Sequence, residues 1–200
     1  MKSNRFAHEI VPLQVKEEWI TLDECPRENT SLEKLQSLSP VFLENGTVTA
    51  GNACPLNDGA ALVLVMSLEK CLEFQLQPIL RFVDSQASGV DPNYLGVGPI
   101  PAVQKLLKRQ QLNVQDIDIV EFNEAFASQV LASIQALQIP EDKVNRAGGA
   151  IAIGHPYGAS GAVLITRLFY EMKYQPYKRA LATLGIGGGM GLATLVEAIK

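Results

Sequence analysis

The sequence is short of reactive landmarks. It has three cysteines, Cys25, Cys54 and Cys71, an odd number with no CxxC spacing. That pattern excludes a disulfide framework and a CxxC-type zinc site, so no metal is expected and the setting reads as reducing and cytoplasmic. No basic cluster is long enough to grip a polyanion, and 17 basic against 21 acidic residues leave a formal net charge of -4. Sequence-independent binding to nucleic acid therefore has no electrostatic basis. The longest purely apolar run, Ala60 to Met66, is far too short to span a bilayer. The opening residues, MKSNRFAHEI, lack the apolar core of a secretion signal. Internal repeats and low-complexity linkers are also missing. The most pointed absence lies in Leu181–Gly191, LATLGIGGGMG, with five glycines in its last seven positions. It is built like the wall of an active site, yet holds no acid, no base and no nucleophile beyond Thr183.

What is present is the composition of a globular protein with one sizeable core: 200 residues, 47% hydrophobic and 19% charged. That length fits one domain, or one domain plus a smaller appendage. Residues 1–45 are polar and irregular, with one short helical pattern, SLEKLQSL. From Gly46 onward strands and helices alternate. Val48 opens a strand-like piece, and Ala61–Ser67 (ALVLVMS) has the continuous apolar character of a strand buried on both faces. LEKCLEFQ reads as a short helix and PILRFVDSQASG as an alternating strand. GPIPAVQKLLKRQQ reads as a proline-opened helix with Val103, Leu106 and Leu107 on one face. IDIVEF is a strand, and the helix after it aligns Phe126, Val130, Ile134 and Leu137. A small-residue loop and helix over Ala147–Met172 and two terminal strands complete the chain. The expectation is a layered α/β domain, with helices covering a mixed five-stranded sheet.

Three segments could carry chemistry. In NRAGGAIAIGHPYGASGA, His155 precedes Pro156, which suits the first turn of the next helix. A histidine there feels the positive end of the helix dipole and stays neutral, as a general base must be. The alternative is a tight turn whose histidine only caps or packs. In EFNEAFASQ, Asn123 and Glu124 sit where a strand hands over to a helix, an edge where α/β folds build sites. Taken alone, Asn123 reads more simply as a helix N-cap. In TAGNACPLNDGAA, Asn52, Cys54 and Asp58 punctuate a turn, most simply a polar loop.

Taken together and in order, GTVTAGNA, NDGAA, GVDPNYLGVGPIPA, IDIVEFNEAFA, GGAIAIGHPYGASGA and GIGGGMG resemble the C-terminal half of thiolases, the acetyl-CoA acetyltransferase and 3-ketoacyl-CoA thiolase family. Asp23–Phe42 is similar to the end of that family's loop domain, so residues 1–45 would be a loop-domain remnant and 46–200 the C-terminal domain. The resemblance implies interconversion of a 3-ketoacyl-CoA plus CoA with two shorter acyl-CoAs, with coenzyme A thioesters as substrates and no covalently bound cofactor. It implies His155 as the base that activates the nucleophile, and Asn123 as holder of a water in one oxyanion hole. The Gly187 N–H would serve a second oxyanion hole. Ala53 and Cys54 would line the pantetheine arm, Leu95 and Phe126 the acyl pocket, and Arg27 the adenosine phosphate end.

The chain departs from this pattern twice. In the family the nucleophilic cysteine belongs to the N-terminal half, and Cys25, Cys54 and Cys71 do not lie in its motif. The family's CIGGG is GIGGG here, so Gly185 stands where the acid/base cysteine is expected. Three readings stay open. The chain could be half of an acyltransferase that needs an N-terminal half as partner, in a homo- or hetero-oligomer. It could be an inactive CoA-binding or interaction protein. It could be a truncated gene product.

Overall fold

The structure, a computed structural model, describes residues 5–199. A small exposed hairpin pairs β1 (Leu13–Val15) with β2 (Glu18–Ile20), and α1 (Leu32–Gln36) and α2 (Leu68–Glu73) follow it in the chain. The main sheet has four strands in the order β3 (Leu80–Gly89), β6 (Met190–Ala198), β5 (Arg179–Ile186) and β4 (Ile119–Phe122). Only the β4–β5 pair is parallel. Parallel neighbours need a long crossover, and here it runs through α4 (Ala127–Leu137), α5 (Ala150–Ile153) and α6 (Ser160–Tyr174). The antiparallel β5–β6 pair needs only a tight turn, Gly187–Gly189. There Gly188 and Gly189 take φ of 80° and 84°, which residues with a Cβ rarely adopt.

The two faces of the sheet are covered by different helices. Val120 and Phe122 of β4 and Leu181 of β5 point to one face, under α3 (Pro99–Gln110) and α4, against Val103, Leu106, Val130 and Ile134. The alternate residues Ile119, Ala180 and Ala182 point to the other, against Leu164, Leu168 and Met172 of α6. This is the period-two alternation of a strand buried on both sides. The layered α/β class expected from the sequence is the observed one.

The strand count is not. Four strands form the sheet, and the fifth expected piece, Ala61–Ser67, has no regular secondary structure and is unpaired. Its side chains face solvent, with Leu62 91%, Leu64 71% and Val65 78% exposed. An apolar β-branched run satisfies strand propensity, but a strand also needs a neighbour to take its backbone hydrogen bonds. Among the described residues no strand pairs with this run. On the far side of β4, one parallel bridge between Val120 and Val144 is all that occupies a further strand position.

Candidate active site

Because β4 and β5 run parallel, their carboxyl ends reach the same edge of the sheet. The Asn123 N–H, one residue past β4, donates to Thr183 O of β5 at 2.9 Å. Gly185 stands two residues beyond Thr183 on that strand. Ligands of open α/β sheets bind outside such carboxyl ends.

His155 is placed at this edge by three hydrogen bonds. Its backbone N–H donates to Asn57 Oδ1 at 2.7 Å. Its Nδ1 lies 2.6 Å from Ser160 Oγ, and its Nε2 lies 3.2 Å from Asn123 Nδ2. The Ser160 hydroxyl has a single proton, which it donates to Pro156 O at 3.1 Å. Ser160 Oγ must therefore accept from Nδ1–H, which leaves the lone pair on Nε2, where Asn123 Nδ2 donates. This network assigns the tautomer with Nε2 free to take a proton. Burial holds the imidazole below its ordinary pKa, so the ring is neutral at pH 7. Tyr157 stands edge-on against the ring, with centroids 4.8 Å apart.

The neutral state is the expected one, and burial is a cause that the sequence did not show. Helix α6 begins at Ser160, five residues after His155, and Pro156 lies outside it in the intervening turn. Desolvation by burial lowers the pKa, while the ring meets the start of α6 through Ser160 Oγ. Asn123 is likewise no N-cap: Phe126 caps α4, and Asn123 is 2% exposed with its amide on His155.

The supporting residues come from three distant segments. Asn145 accepts from Phe122 N at 2.7 Å and donates to Phe122 O at 2.8 Å and to Glu124 Oε1 at 2.6 Å. Glu124 Oε2 in turn accepts from Ile151 N at 3.1 Å, fixing α5. The loop Thr49–Ala61 docks on NEAF: Cys54 N–H donates to Ala125 O at 3.0 Å, Ala127 N–H donates to Asn52 O at 2.9 Å, and Ala53 bridges Phe126. Gly154 brings Asn57 and His155 together. Its φ is 103°, and a Cβ there would lie 2.4 Å from Asn57 Oδ1.

The structure thus joins His155 to Asn123, and Ala53 and Cys54 to the NEAF segment that carries Asn123 and Phe126. Phe126 is half-buried and stacks edge-on with Phe42 at 5.9 Å. Leu95 is 46% exposed in a 3-10 turn, Pro92–Val97, that packs on α4 and β5. Gly185 is half-buried, and the nearest side chain to a Cβ built on it is the amide of Gln129, at 3.0 Å. Gly187 lies in the exposed turn after β5. Arg27 is exposed, and its recorded contact is local, its carbonyl accepting from Thr30 Oγ1. None of the three thiols is in a disulfide, and burial pushes the Cys54 thiol up, away from a reactive thiolate. Asn57, Ser160, Asn145, Gln129, Glu121 and Arg167 were given no role by the sequence reading. Ser160 sat inside the quoted GHPYGASGA motif, and its spacing of five from His155 was the one available signal.

A layered α/β domain with a neutral histidine and an amide donor at the carboxyl ends of parallel strands defines a proton-transfer site beside a donor group. The family comparison makes this specific. The family model described as "Thiolase, C-terminal domain" matches residues 76–198, and that described as "Thiolase, N-terminal domain" matches residues 1–69. The chain belongs to the thiolase family of acyltransferases. The VraB protein of Staphylococcus epidermidis is 51% identical over 197 residues, covering 98% of this chain and 50% of that protein. The acetyl-CoA acetyltransferase of Syntrophomonas wolfei is 47% identical over 205 residues, covering 100% of this chain and 52% of that protein. Among solved structures, the Bacillus anthracis acetyl-CoA acetyltransferase superposes with a TM-score of 0.94 at 40% identity, covering 99% of this chain and 51% of that one. Human mitochondrial 3-ketoacyl-CoA thiolase in complex with CoA gives 0.91 at 37%, covering 99% and 50%. The chain spans about half the length of these relatives. Among the described residues no helix is long and apolar enough to cross a membrane.

Proposed function

We propose that this chain supplies the base and oxyanion wall of a thiolase-type acyltransferase acting on coenzyme A thioesters, with a nucleophilic cysteine contributed by an N-terminal half. The observation that carries the reading is the contact between Asn123 Nδ2 and His155 Nε2, with the lone pair on Nε2. In the neutral ring Nε2 can take a proton from a thiol. Once it does, Nε2–H and Asn123 Nδ2–H become two donors that no longer bond one another. Both then turn to an oxygen placed between them, and two donors already in place are what a developing oxyanion needs. His155 therefore activates the nucleophile and, protonated, helps bind the charge its attack creates. Ala53 and Cys54 line the pantetheine arm, and Leu95 and Phe126 the acyl group. Arg27 meets the phosphate end of CoA, and the Gly187 N–H serves a second oxyanion.

Gly185 carries no thiol for the proton at the acceptor carbon. That favours a second reading, in which CoA thioesters are held without acyl transfer or carbon–carbon chemistry. The two separate in one experiment. The assembled protein, this chain with a thiolase N-terminal half, is incubated with acetyl-CoA, and the acetylated cysteine is mapped by peptide mass spectrometry. The expected product carries acetyl on the partner half's cysteine and none on Cys25, Cys54 or Cys71. Coenzyme A binding by calorimetry without any acetylation supports the second reading instead.

A further inference from the structure

Strand alternation sends Glu121 of β4 to the α6 face, where its neighbours in the layer are Ile119, Ala180, Ala182, Leu164 and Leu168. The residue is 1% exposed, and neither carboxyl oxygen is hydrogen-bonded by a described residue. A simple ion pair does not account for it. Arg167 Nη1 stands 3.9 Å from Oε2, too far for a hydrogen bond, and donates to Gly148 O. The same guanidinium lies 4.6 Å from the Phe6 ring, and its Nε is 3.8 Å from Glu9. Glu121 lines a cavity of about 20 Å³ together with Asn123, Ser160, Gly149, Gly154 and Arg167. The rest of the lining is apolar (Phe122, Ala150, Ile153, Val163 and Leu164), and the volume is enough for one water held by the polar side chains. Asn123 and Ser160 are the two side chains that hold the His155 ring, one at each nitrogen.

We infer that Glu121 is a positioning residue for His155, acting through one water in this cavity that bridges its carboxyl to Asn123 and Ser160. This rests on the reading of His155 as the base and gives that base a support behind the protein surface. The water satisfies the otherwise unpartnered carboxyl. It also ties both hydrogen bonds of the imidazole to one buried group, so a change of protonation at Glu121 reorients the water and shifts both. Burial pushes Glu121 up to about 8, with Arg167 pulling it down and Glu9 and Glu124 adding to the rise. Arg5, from the same segment as Glu9, also lowers it. Tyr157 stands edge-on to the ring itself.

The test is an NMR titration of the imidazole nitrogens in the full chain, which has two histidines. His8 stacks on Tyr170, lies tilted against Tyr174, and reports on any global change. His155 is expected to show its own titration on the acid side and a second, smaller step near the Glu121 value of about 8. In Glu121→Gln the second step disappears while the first remains, and the His8 curve is the same in both proteins. A single step for His155 in the wild type overturns the inference, and that outcome is decisive even if the variant fails to fold. A second step that survives in Glu121→Gln overturns it as well. No turnover is needed, so the result is independent of whether the assembled protein acylates.

Discussion

Gly185→Cys is expected to raise thiolysis and condensation of 3-ketoacyl-CoA by the assembled protein about 10²–10⁴-fold, the typical contribution of a positioned general acid/base. Residue 185 sits on β5, paired with Gly191, at the sheet edge that carries Asn123. Its φ is not in the left-handed region, so a side chain fits the backbone without strain. The Cβ would meet Gln129 Nε2 at 3.0 Å, the far end of a flexible side chain that can withdraw. Gln129 Oε1 has no hydrogen-bond partner among the described residues, so the amide loses little by moving. The thiol thus enters a place already bordered by a polar group. Steady-state thiolysis of a 3-ketoacyl-CoA measures the gain. The acetylation half-reaction, which on the proposed function needs His155 but not residue 185, is expected to stay within a few-fold of wild type. No gain in thiolysis with intact acetylation would mean that the proton path needs more than the missing sulfur.

The second large effect concerns stability. Glu121 has its folded pKa raised from 4.5 to about 8, with burial as the leading cause. For a raised acid, the contribution to stability is fully present below the unfolded value and is lost as pH rises through the folded one. Between about 4.5 and about 8 the unfolded chain ionises while the folded chain cannot. At about 1.4 kcal/mol per pH unit, the loss over that window is roughly 5 kcal/mol. The amide that replaces the carboxyl in Glu121→Gln does not titrate. The stability of this variant relative to wild type should therefore rise across the window and level off above it. Urea unfolding at a series of pH values reads this directly. The neighbouring carboxyls Glu9 and Asp23, also raised by burial, are common to both proteins and largely cancel in the difference. A difference that does not change with pH would mean that Glu121 is ionised in the folded protein.

How much of this was legible in the sequence depends on whether the interaction is local. The helices α3, α4 and α6 and the strands β3 to β6 follow from periodicity, because each buries one stripe or alternate faces. Asn123, His155 and Gly185 stand in short contiguous motifs, so their pairing at one sheet edge was within reach. Asn57 was not, because it reaches His155 across 98 positions of sequence. Glu121 was hidden for another reason: in IDIVEF it reads as a polar interruption, and only the α6 layer shows it buried. Ala61–Ser67 misled because propensity and hydrophobicity report what a segment prefers, not whether a neighbouring strand exists to pair with it. The burial that shifts His155 was not legible because it depends on segments distant in sequence, such as the loop that carries Asn57.

The most direct measurement is the rate at which acetyl-CoA acetylates the assembled protein, compared between wild type and His155→Ala at one pH near neutrality. A fall of about 10²–10⁴-fold is expected if the Nε2 lone pair beside Asn123 takes the thiol proton. Equal rates would contradict the assignment of His155 as the base.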